Sequence, residues 1–379
     1  MRFVFVSTIY GLPWGGSEEL WSQAAVQLRH AGHDVTALVA YRPALSPRVT
    51  ALAERGISLR PYPSPSFLAG SLKYSWDKIT FGWRRTFAWL TRCRPDLVVI
   101  SQGHNSGGFQ WAKICREAAI PYVLIVQCNS ENWWFDNDTA EEAAASYVAA
   151  RRVFCVSHSN LALLRRQVGD RLEGAEVVWN PYNVRVGKIP AWPSANGRWK
   201  LACVARMDPA AKGQDLLLEV LARSEWRDRP IELHFYGEGL FELTLRRLAD
   251  TLGLKNVYFH GHVSDIRAIW EQNHILALPS RYEGLPLALV EAMWCGRPAI
   301  VTDVAGNAEV CVDNETGFVA PAPTASLLAG TLQRAWDRRF DWQLMGQAAR
   351  ARAESQIPRD PIAVFAEKLK NCAGLVLQT

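Results

Sequence analysis

Short apolar runs alternate with helix-like segments along almost the whole chain, and no other feature constrains the fold as strongly. "RFVFVST", "DVTALVA" and "DLVVIS" are strand-like, while "GGSEELWSQAAVQLRHAGH" has helical periodicity, with Ser17 as its predicted N-cap and Gly32 as its predicted stop. Strands that alternate with helices in this way pair in parallel and carry helices on both faces of their sheet. The sequence therefore predicts an α/β fold.

The alternation lapses once, at "PYNVRVGKIPAWPSANGRWK", which has three prolines, two glycines and no periodicity. Such a segment is typical of an interdomain linker, and a second α/β series begins after it at "KLACVAR". We therefore expect two Rossmann-like domains, residues 1–185 and 196–358, with a C-terminal helix at about 359–379 that returns to the first domain. The carboxyl ends of their strands are expected to face each other across a cleft, where such sheets bind ligands.

Composition excludes several classes of protein. An apolar content of 49% with 21% charged residues is typical of a globular chain, and a net charge of +5 is too small to indicate a nucleic-acid partner. Eight scattered cysteines without a C-x-x-C pair favour reduced thiols in the cytoplasm over disulfides or a zinc site. No apolar run is long enough for a signal peptide or a membrane span, so we expect a cytoplasmic protein.

A pair of cations opens the second series. In "VARMDPAAKGQD", Arg206 ends a predicted strand, and Lys212 with Gly213 leads into a predicted helix. A guanidinium and an ammonium beside a helix N-terminus are suited to a diphosphate. The motif alone fits an ordinary pair of basic surface residues equally well.

The stretch "SRYEGLPLALVEAM" holds two glutamates eight positions apart. Glu283 is predicted to lie in a loop after a strand, and Glu291 about five residues along the next helix, or ~7 Å. A nucleoside diphosphate sugar has the length to reach both, with Glu283 on the sugar hydroxyls and Glu291 on the ribose, a recurring partner of acidic residues. The backbone near the following residues would face the phosphates: Gly284, Leu285, Pro286 and Leu287, with Pro286 in the first turn of the helix.

Together, "VARMDPAAKG", "GHVSD", "PSRYEGLPLALVEAMWCGRPAIVTDVAGNAEV" and "ETGFVAPA" closely resemble the C-terminal half of the retaining GT-B glycosyltransferases of family four. The resemblance is strong over about 200–322 and weaker over 1–185. It implies metal-free transfer of a sugar with retention of configuration. It also implies that Glu283 and Glu291 correspond to the family's pair of glutamates. It places Arg206 and Lys212 at the family's arginine and lysine, which hold the diphosphate.

The resemblance implies further contacts. Gly15 and Gly16 of "YGLPWGGSEE" match a Gly-Gly loop at the phosphates, although a plain strand-to-helix turn is the alternative. Gly261, His262 and Val263 match the family's loop that binds the base, but this match does not identify the base. A UDP- or GDP-sugar is the expected donor, with no other cofactor. Where many family members have a histidine near the transferred sugar this chain has Gln127, and His104 after the preceding strand is the nearest candidate to share that role.

Two aromatic features remain. Trp133 and Trp134 follow the strand "YVLIVQ", where their faces would suit a sugar or lipid acceptor or simply pack in the core. The adjacent Asp136 and Asp138 mimic a metal-binding D-x-D, but the rest of the chain matches the metal-free fold, so no metal is expected.

Residues 72–94 hold six Lys or Arg against one Asp, a net charge equal to that of the whole chain. At helical spacing, one face of this helix is predicted to pack on the core, and the opposite face carries basic and aromatic residues. Such a face suits an anionic membrane surface, here the inner face of the cell membrane. A solvated helix is the alternative. The predicted core stripe is Leu72, Trp76, Ile79, Trp83, Phe87 and Leu90; the outer face is Tyr74, Lys78, Phe81, Arg85, Trp89 and Arg92.

The sequence thus predicts a metal-independent retaining glycosyltransferase that moves a hexosyl unit from a nucleotide sugar to a glycan or lipid-linked acceptor. A nucleotide-sugar epimerase and a non-catalytic nucleotide-sugar binder are the alternatives. The epimerase would need a base that the chain does not obviously supply. A nicotinamide-dependent oxidoreductase is disfavoured because "YGLPWGGSE" lacks the G-x-G-x-x-G pattern.

Overall fold

The computed structural model describes residues 1–9, 12–42, 45–63, 76–184, 187–194 and 196–374, with the backbone alone for 76–81. The chain forms two compact units, Met1–Pro181 with Asp360–Thr379 and Tyr182–Arg359. Each unit is built on one sheet in which every pair of strands is parallel. The predicted fold class, two parallel-sheet α/β domains, is confirmed.

Unit 1 contains a seven-stranded sheet in the order β3-β2-β1-β4-β5-β6-β7. Its central strands are buried on both faces, as expected for a parallel sheet covered by helices. The strands are β1 (Arg2–Ser7), β2 (Asp34–Ala40), β3 (Ser58–Tyr62), β4 (Leu97–Gln102), β5 (Tyr122–Val126), β6 (Arg152–Cys155) and β7 (Ala175–Val177).

Helices cover both faces of this sheet and enclose two apolar clusters, one on each side. The last helix of the chain, Pro361–Gly374, belongs to this unit: Phe365 meets Phe154 edge to face at 5.2 Å, and Arg151 donates to the Cys372 carbonyl. The helices are α1 (Glu19–His30), α2 (Pro47–Glu54), α3 (Trp76–Cys93), α4 (Phe109–Glu117), α5 (Ala140–Val148), α6 (His158–Val168) and, at the end of the chain, Pro361–Gly374.

The entry into α1 differs from the sequence prediction. A short 3-10 turn, Gly16–Glu18, precedes the helix, so Glu18 occupies the N-cap position and Ser17 lies inside the turn. The prediction that Ser17 caps the helix was therefore wrong, because the chain begins to coil before the α-helix starts. Gly32 ends the segment as predicted, with φ +84°.

Unit 2 contains a six-stranded sheet in the order β10-β9-β8-β11-β12-β13. Its strands are short and apolar, and β11 and β12 are buried throughout. The strands are β8 (Trp199–Val204), β9 (Ile231–Tyr236), β10 (Val257–Phe259), β11 (Ile275–Leu278), β12 (Ala299–Thr302) and β13 (Gly317–Ala320).

The helices of unit 2 bury one large apolar cluster that includes Trp226 and Trp342. One close approach lies at Gly346, where a Cβ would stand 2.1 Å from the Gly296 carbonyl oxygen. The helices are α7 (Pro209–Lys212), α8 (Gln214–Leu221), α9 (Ser224–Arg227), α10 (Glu242–Thr251), α11 (Ile266–Gln272), α12 (Leu287–Trp294), α13 (Asn307–Val310), α14 (Ala325–Asp337) and α15 (Trp342–Gln356), so the final helix of unit 1 is α16.

Helix α3 contains the described part of the basic segment. Trp83 and Phe87 pack against Trp111 at 5.3 Å each, and Leu90 is fully buried, as the predicted core stripe requires. Trp89 does not belong to the solvent face that was predicted, because it packs against the core and lies 4.4 Å beneath the Arg60 guanidinium.

The remaining predicted residues of that segment, Leu72, Tyr74, Trp76, Lys78, Ile79 and Phe81, lie outside the described residues or side chains. Attraction of this helix to an anionic membrane surface stays a prediction. Within the described ranges, none of the helices combines the length and apolar character needed to cross a bilayer.

Candidate active site

The order of strands in unit 2 reverses direction between β8 and β11, and loops that follow these two strands lie side by side at the carboxyl edge of the sheet. Open α/β sheets bind their ligands at such a switch point. Arg206 follows β8, and Glu283 follows β11. The fold thus brings the predicted phosphate-binding and sugar-binding segments to the same edge.

The central contact of this edge joins Lys212 and Glu283, which are 71 positions apart in sequence. The Lys212 ammonium donates to Glu283 Oε1 at 2.5 Å, and the Ser280 hydroxyl donates to the same oxygen at 2.8 Å. The Glu283 side chain is only 7% exposed, so the ammonium balances a carboxylate that is largely removed from water.

Arg281 fastens the two loops that carry this pair, and the sequence analysis did not single it out. Its guanidinium makes a bidentate contact with Asp215 at 2.7 Å for each bond, and it also donates to the Pro209 carbonyl. This geometry gives strong and directional pairing. It holds the loop after β11 against α7 and α8, and therefore holds Glu283 beside Lys212.

Gly213 connects α7 to α8 in the left-handed conformation, with φ +66°. A Cβ at this position would lie 2.1 Å from the carbonyl oxygen of Pro279, which is backbone and has no side-chain freedom to move aside. The glycine in "AAKGQD" is therefore required both by its φ and by the close approach of β11.

Arg206 donates from its guanidinium to Asp208 Oδ2 at 2.8 Å. Its own carbonyl accepts from the fully buried amide of Gln214 at 2.7 Å, which holds the loop on α8. The Arg206 side chain is 36% exposed, so the cation remains accessible at the edge of the sheet.

Glu291 lies on the inner side of α12 and is 3% exposed. Its Oε1 accepts from the backbone N–H of Asn183 at 2.9 Å and from the side-chain amide of the same residue at 3.0 Å. Asn183 was not predicted to be part of the site. No sequence signal links it to Glu291, because 108 positions separate them.

The other predicted donor-side residues occupy loops at the same edge. Gly284, Leu285 and Pro286 are buried; Pro286 is the N-cap of α12 and Leu287 its first residue, one position later than predicted. After β10 the Gly261 carbonyl accepts from the Gly237 N–H at 2.7 Å. His262 in this loop is exposed and Val263 half-buried.

In unit 1, Gln127 and His104 follow the neighbouring strands β5 and β4, so both lie at the carboxyl edge. Gln127 is 4% exposed, and among the described residues neither atom of its amide has a hydrogen-bond partner. Such a buried amide is costly unless a ligand or water engages it. His104 shares a hydrogen bond of 2.9 Å with Ser106, and burial lowers the pKa of its imidazole, which favours the neutral form.

Buried amides hold the loop that follows β5. Gln167 accepts from Asn129 at 2.7 Å and from Asn105 at 3.0 Å, and it donates to the carbonyls of Ser130 and Trp133. A network of this kind fixes an irregular loop in one conformation. The loop presents Trp134 to solvent, with 59% of the residue exposed.

The Gly-Gly segment lies before the 3-10 turn. Gly15 has φ −161°, an extended conformation open to any residue, and Gly16 is exposed. The backbone conformation at Gly15 therefore does not demand glycine, and the proposed phosphate contact of this segment stays a prediction.

Glu18, two residues later, is 3% exposed and accepts from the Ser7 hydroxyl at 2.5 Å. Burial raises the pKa of its carboxyl to about 7, and the Ser7 bond only partly offsets this effect. The folded protein thus binds this proton more tightly than the unfolded chain does. The contribution of Glu18 to stability is fully present below pH 4.5 and is lost as the pH rises to about 7.

We therefore expect Glu18→Gln, which keeps an acceptor for Ser7, to stabilise the protein more at high pH than at low pH. The gain in the free energy of unfolding should grow by about 2 kcal/mol between pH 5.5 and 8.5. Urea unfolding of both proteins across this range measures it. The exposed Glu54→Gln is the control, and an equal gain at both pH values would contradict the buried titration.

Asp136, half of the D-x-D motif, caps a turn: its Oδ1 accepts from the Thr139 N–H at 3.0 Å and from the Thr139 hydroxyl at 2.7 Å. Over the described ranges no group of three or more His, Cys, Asp or Glu side chains is arranged to hold a metal ion. These contacts give Asp136 a structural role at this turn.

Two family models match the chain, one in each unit. The glycosyl transferases group 1 model matches residues 188–352, and the glycosyl transferase 4-like domain matches residues 15–182. The fold and the two family models together define a GT-B protein. The chain belongs to the family-four type of GT-B glycosyltransferases, which confirms the resemblance seen in its sequence.

Individual relatives agree with this family. The chain is 31% identical over 143 residues to the putative glycosyltransferase EpsD of Bacillus subtilis, covering 38% of each chain. It is 31% identical over 165 residues to a GDP-mannose-dependent monoacylated alpha-(1-6)-phosphatidylinositol monomannoside mannosyltransferase of Corynebacterium glutamicum, covering 41% of this chain and 42% of that protein. The chain thus spans less than half of the length of these curated relatives.

Among solved structures, Anabaena HepE in complex with UDP superposes with a TM-score of 0.76 at 19% identity, over 98% of this chain and 100% of that one. This likeness shows the fold.

Proposed function

We propose that this chain transfers a hexosyl unit from a nucleoside diphosphate sugar to a glycan or glycolipid acceptor, with retention of the anomeric configuration. The observation that carries the proposal is the contact between Lys212 and Glu283 at the switch point of unit 2, with Arg206 on the adjacent loop. Cations for a diphosphate and a carboxylate for a sugar stand at one edge, as this reaction requires.

The reaction breaks the bond between the sugar C1 and the phosphate oxygen and forms a bond between C1 and the acceptor oxygen. Negative charge develops on the departing diphosphate, where Arg206 and Lys212 stabilise it. The Lys212 ammonium has three N–H donors, so it can bind a phosphate oxygen while it keeps its bond to Glu283. Glu283 accepts from a sugar hydroxyl, and the leaving phosphate takes the acceptor proton, so no separate base is needed.

Within unit 1, three further residues are proposed to bind sugar. The buried amide of Gln127 suits a sugar hydroxyl, because it offers both a donor and an acceptor. Neutral His104 can accept from a second hydroxyl. Trp134 offers an exposed aromatic face on a loop that buried amides hold in place, and such a face suits the C–H side of a sugar ring.

The donor is proposed to be a UDP- or GDP-sugar. HepE was solved in complex with UDP, and the corynebacterial relative is named as GDP-mannose-dependent, so related proteins include examples of both bases. The proposal of a glycan or glycolipid acceptor is also supported by a relative, because the name of the corynebacterial protein includes a phosphatidylinositol monomannoside.

A thermal-shift panel of UDP, GDP, ADP and CMP in EDTA tests the donor site on the wild type and on Arg206→Ala. We expect one diphosphate to raise the Tm, because a ligand that binds only the folded state stabilises it. The increase should be largely lost in Arg206→Ala, since one phosphate contact is removed. Arg246→Ala, which removes an exposed pair with Glu242, is the matched control and should keep the shift.

If no nucleotide changed the Tm of the wild type, the proposed donor site would be wrong. A shift that survives in Arg206→Ala would overturn the assignment of that cation. With the donor identified, proton NMR of the anomeric centre in the product tests retention.

A further inference from the structure

Glu291 is held by a residue from the segment between the two sheets. Asn183 donates two hydrogen bonds to Glu291 Oε1, one from its backbone N–H at 2.9 Å and one from its side-chain amide at 3.0 Å. A carboxylate that is 3% exposed needs such donors, because burial without hydrogen bonds is costly.

The geometry of this contact also sets an orientation. Two donors on one residue that converge on a single oxygen fix the plane in which the carboxylate lies. Asn183 uses only Oε1 in these two bonds. A carboxylate has about four acceptor positions on its two oxygens, and acidic side chains that bind a ribose diol use them in this way.

The segment that carries Asn183 is itself fastened to α12. The ring of Tyr182 packs on Trp294 with 5.2 Å between centroids, and Trp294 follows Glu291 by one helical turn. The Tyr182 hydroxyl lies 3.2 Å from the Pro358 carbonyl oxygen and 3.0 Å from that of Arg359. Asn183 is therefore held beside α12 by contacts that do not involve the carboxylate.

We propose that Asn183 is a positioning residue for the donor: it orients Glu291 so that the carboxylate binds the ribose hydroxyls. This inference rests on the proposed function, because it assumes a ribonucleoside diphosphate at the switch point. It adds a residue that no sequence motif marks and that lies 108 positions before the carboxylate it serves.

Calorimetric titration with UDP, GDP and their 2′-deoxy forms tests the proposal on the full chain. The ratio of the Kd values of the deoxy and ribo forms reports the contact between the carboxylate and the ribose. We expect wild type to prefer the ribo form of its nucleotide by about tenfold or more, and Glu291→Gln to lose most of this preference. Asn183→Ala, which keeps the backbone donor, should reduce the ratio to about threefold or less.

Tyr182→Phe serves as the matched variant. It removes a hydroxyl from the same segment, leaves both Asn183 donors in place and is expected to lower Tm while it keeps the wild-type ratio. If Asn183 had a purely structural role, Asn183→Ala would also lower the Tm and leave the ratio of the deoxy and ribo Kd values unchanged. That result would overturn the inference.

The remaining outcomes separate the inference from the proposed function. If neither ribonucleotide binds wild type, the donor site itself fails and the inference falls with it. If the ribonucleotide binds but Glu291→Gln keeps the full preference, the ribose contact lies elsewhere and only the inference is overturned.

Discussion

Replacing Lys212 by alanine is expected to lower the kcat of sugar transfer by about 100-fold or more, because a preorganised cation at the departing diphosphate is lost. The same change removes the cation from Glu283, whose side chain is 7% exposed. We expect an accompanying loss of about 3 kcal/mol in the free energy of unfolding. Steady-state kinetics and urea unfolding measure the two effects separately.

The double variant Lys212→Ala/Glu283→Gln distinguishes the two roles. Without the buried charge its stability should recover in part, whereas its activity should stay at or below that of the single variant. Lys200→Ala is the matched control, since it removes a lysine that pairs loosely with Glu232 at 3.9 Å in the same unit. Activity that returns together with stability would show that Lys212 acts only as a structural partner.

Gly213→Ala is expected to destabilise the protein by at least about 3 kcal/mol, because a left-handed φ and a backbone clash act at the same position. The added Cβ would lie 2.1 Å from the Pro279 carbonyl oxygen, so β11 or the start of α8 must shift. Since Lys212 is the adjacent residue, the binding of nucleoside diphosphates should weaken as well. Urea unfolding and calorimetric titration measure these effects.

Gly253→Ala separates the two causes. Gly253 has φ +70°, close to that of Gly213, but no described heavy atom lies within 4 Å of the added Cβ. It should cost only about 1 kcal/mol, the price of the backbone conformation alone. Equal losses at the two positions would show that the approach of Pro279 has no energetic consequence.

Elements with strong periodicity were the ones that the sequence predicted best. The runs "RFVFVST", "DVTALVA" and "DLVVIS" form β1, β2 and β4, because short apolar runs that alternate with helices are typical of buried strands in a covered parallel sheet. Helix starts were less predictable. Ser17 has the chemistry of an N-cap, but the chain coils one turn earlier, and Pro286 precedes α12 instead of opening it.

The two faces of α3 show a related limit. Periodicity indicates which residues share a side of a helix, and it correctly assigned Trp83, Phe87 and Leu90 to the core. It does not show what packs on the opposite side. Arg60, which is distant in sequence, covers Trp89 and removes it from the predicted solvent face.

The residue types and spacings of the sequence by themselves determined the α/β class and the candidates Arg206, Lys212, Glu283 and Glu291. These features are local, so a strand, its loop and the following helix can be read from adjacent residues. Only the tertiary structure decided which of these groups touch, because parallel pairing joins strands that are far apart in the chain. It paired Lys212 with Glu283, clamped their loops through Arg281, and gave Glu291 its partner Asn183.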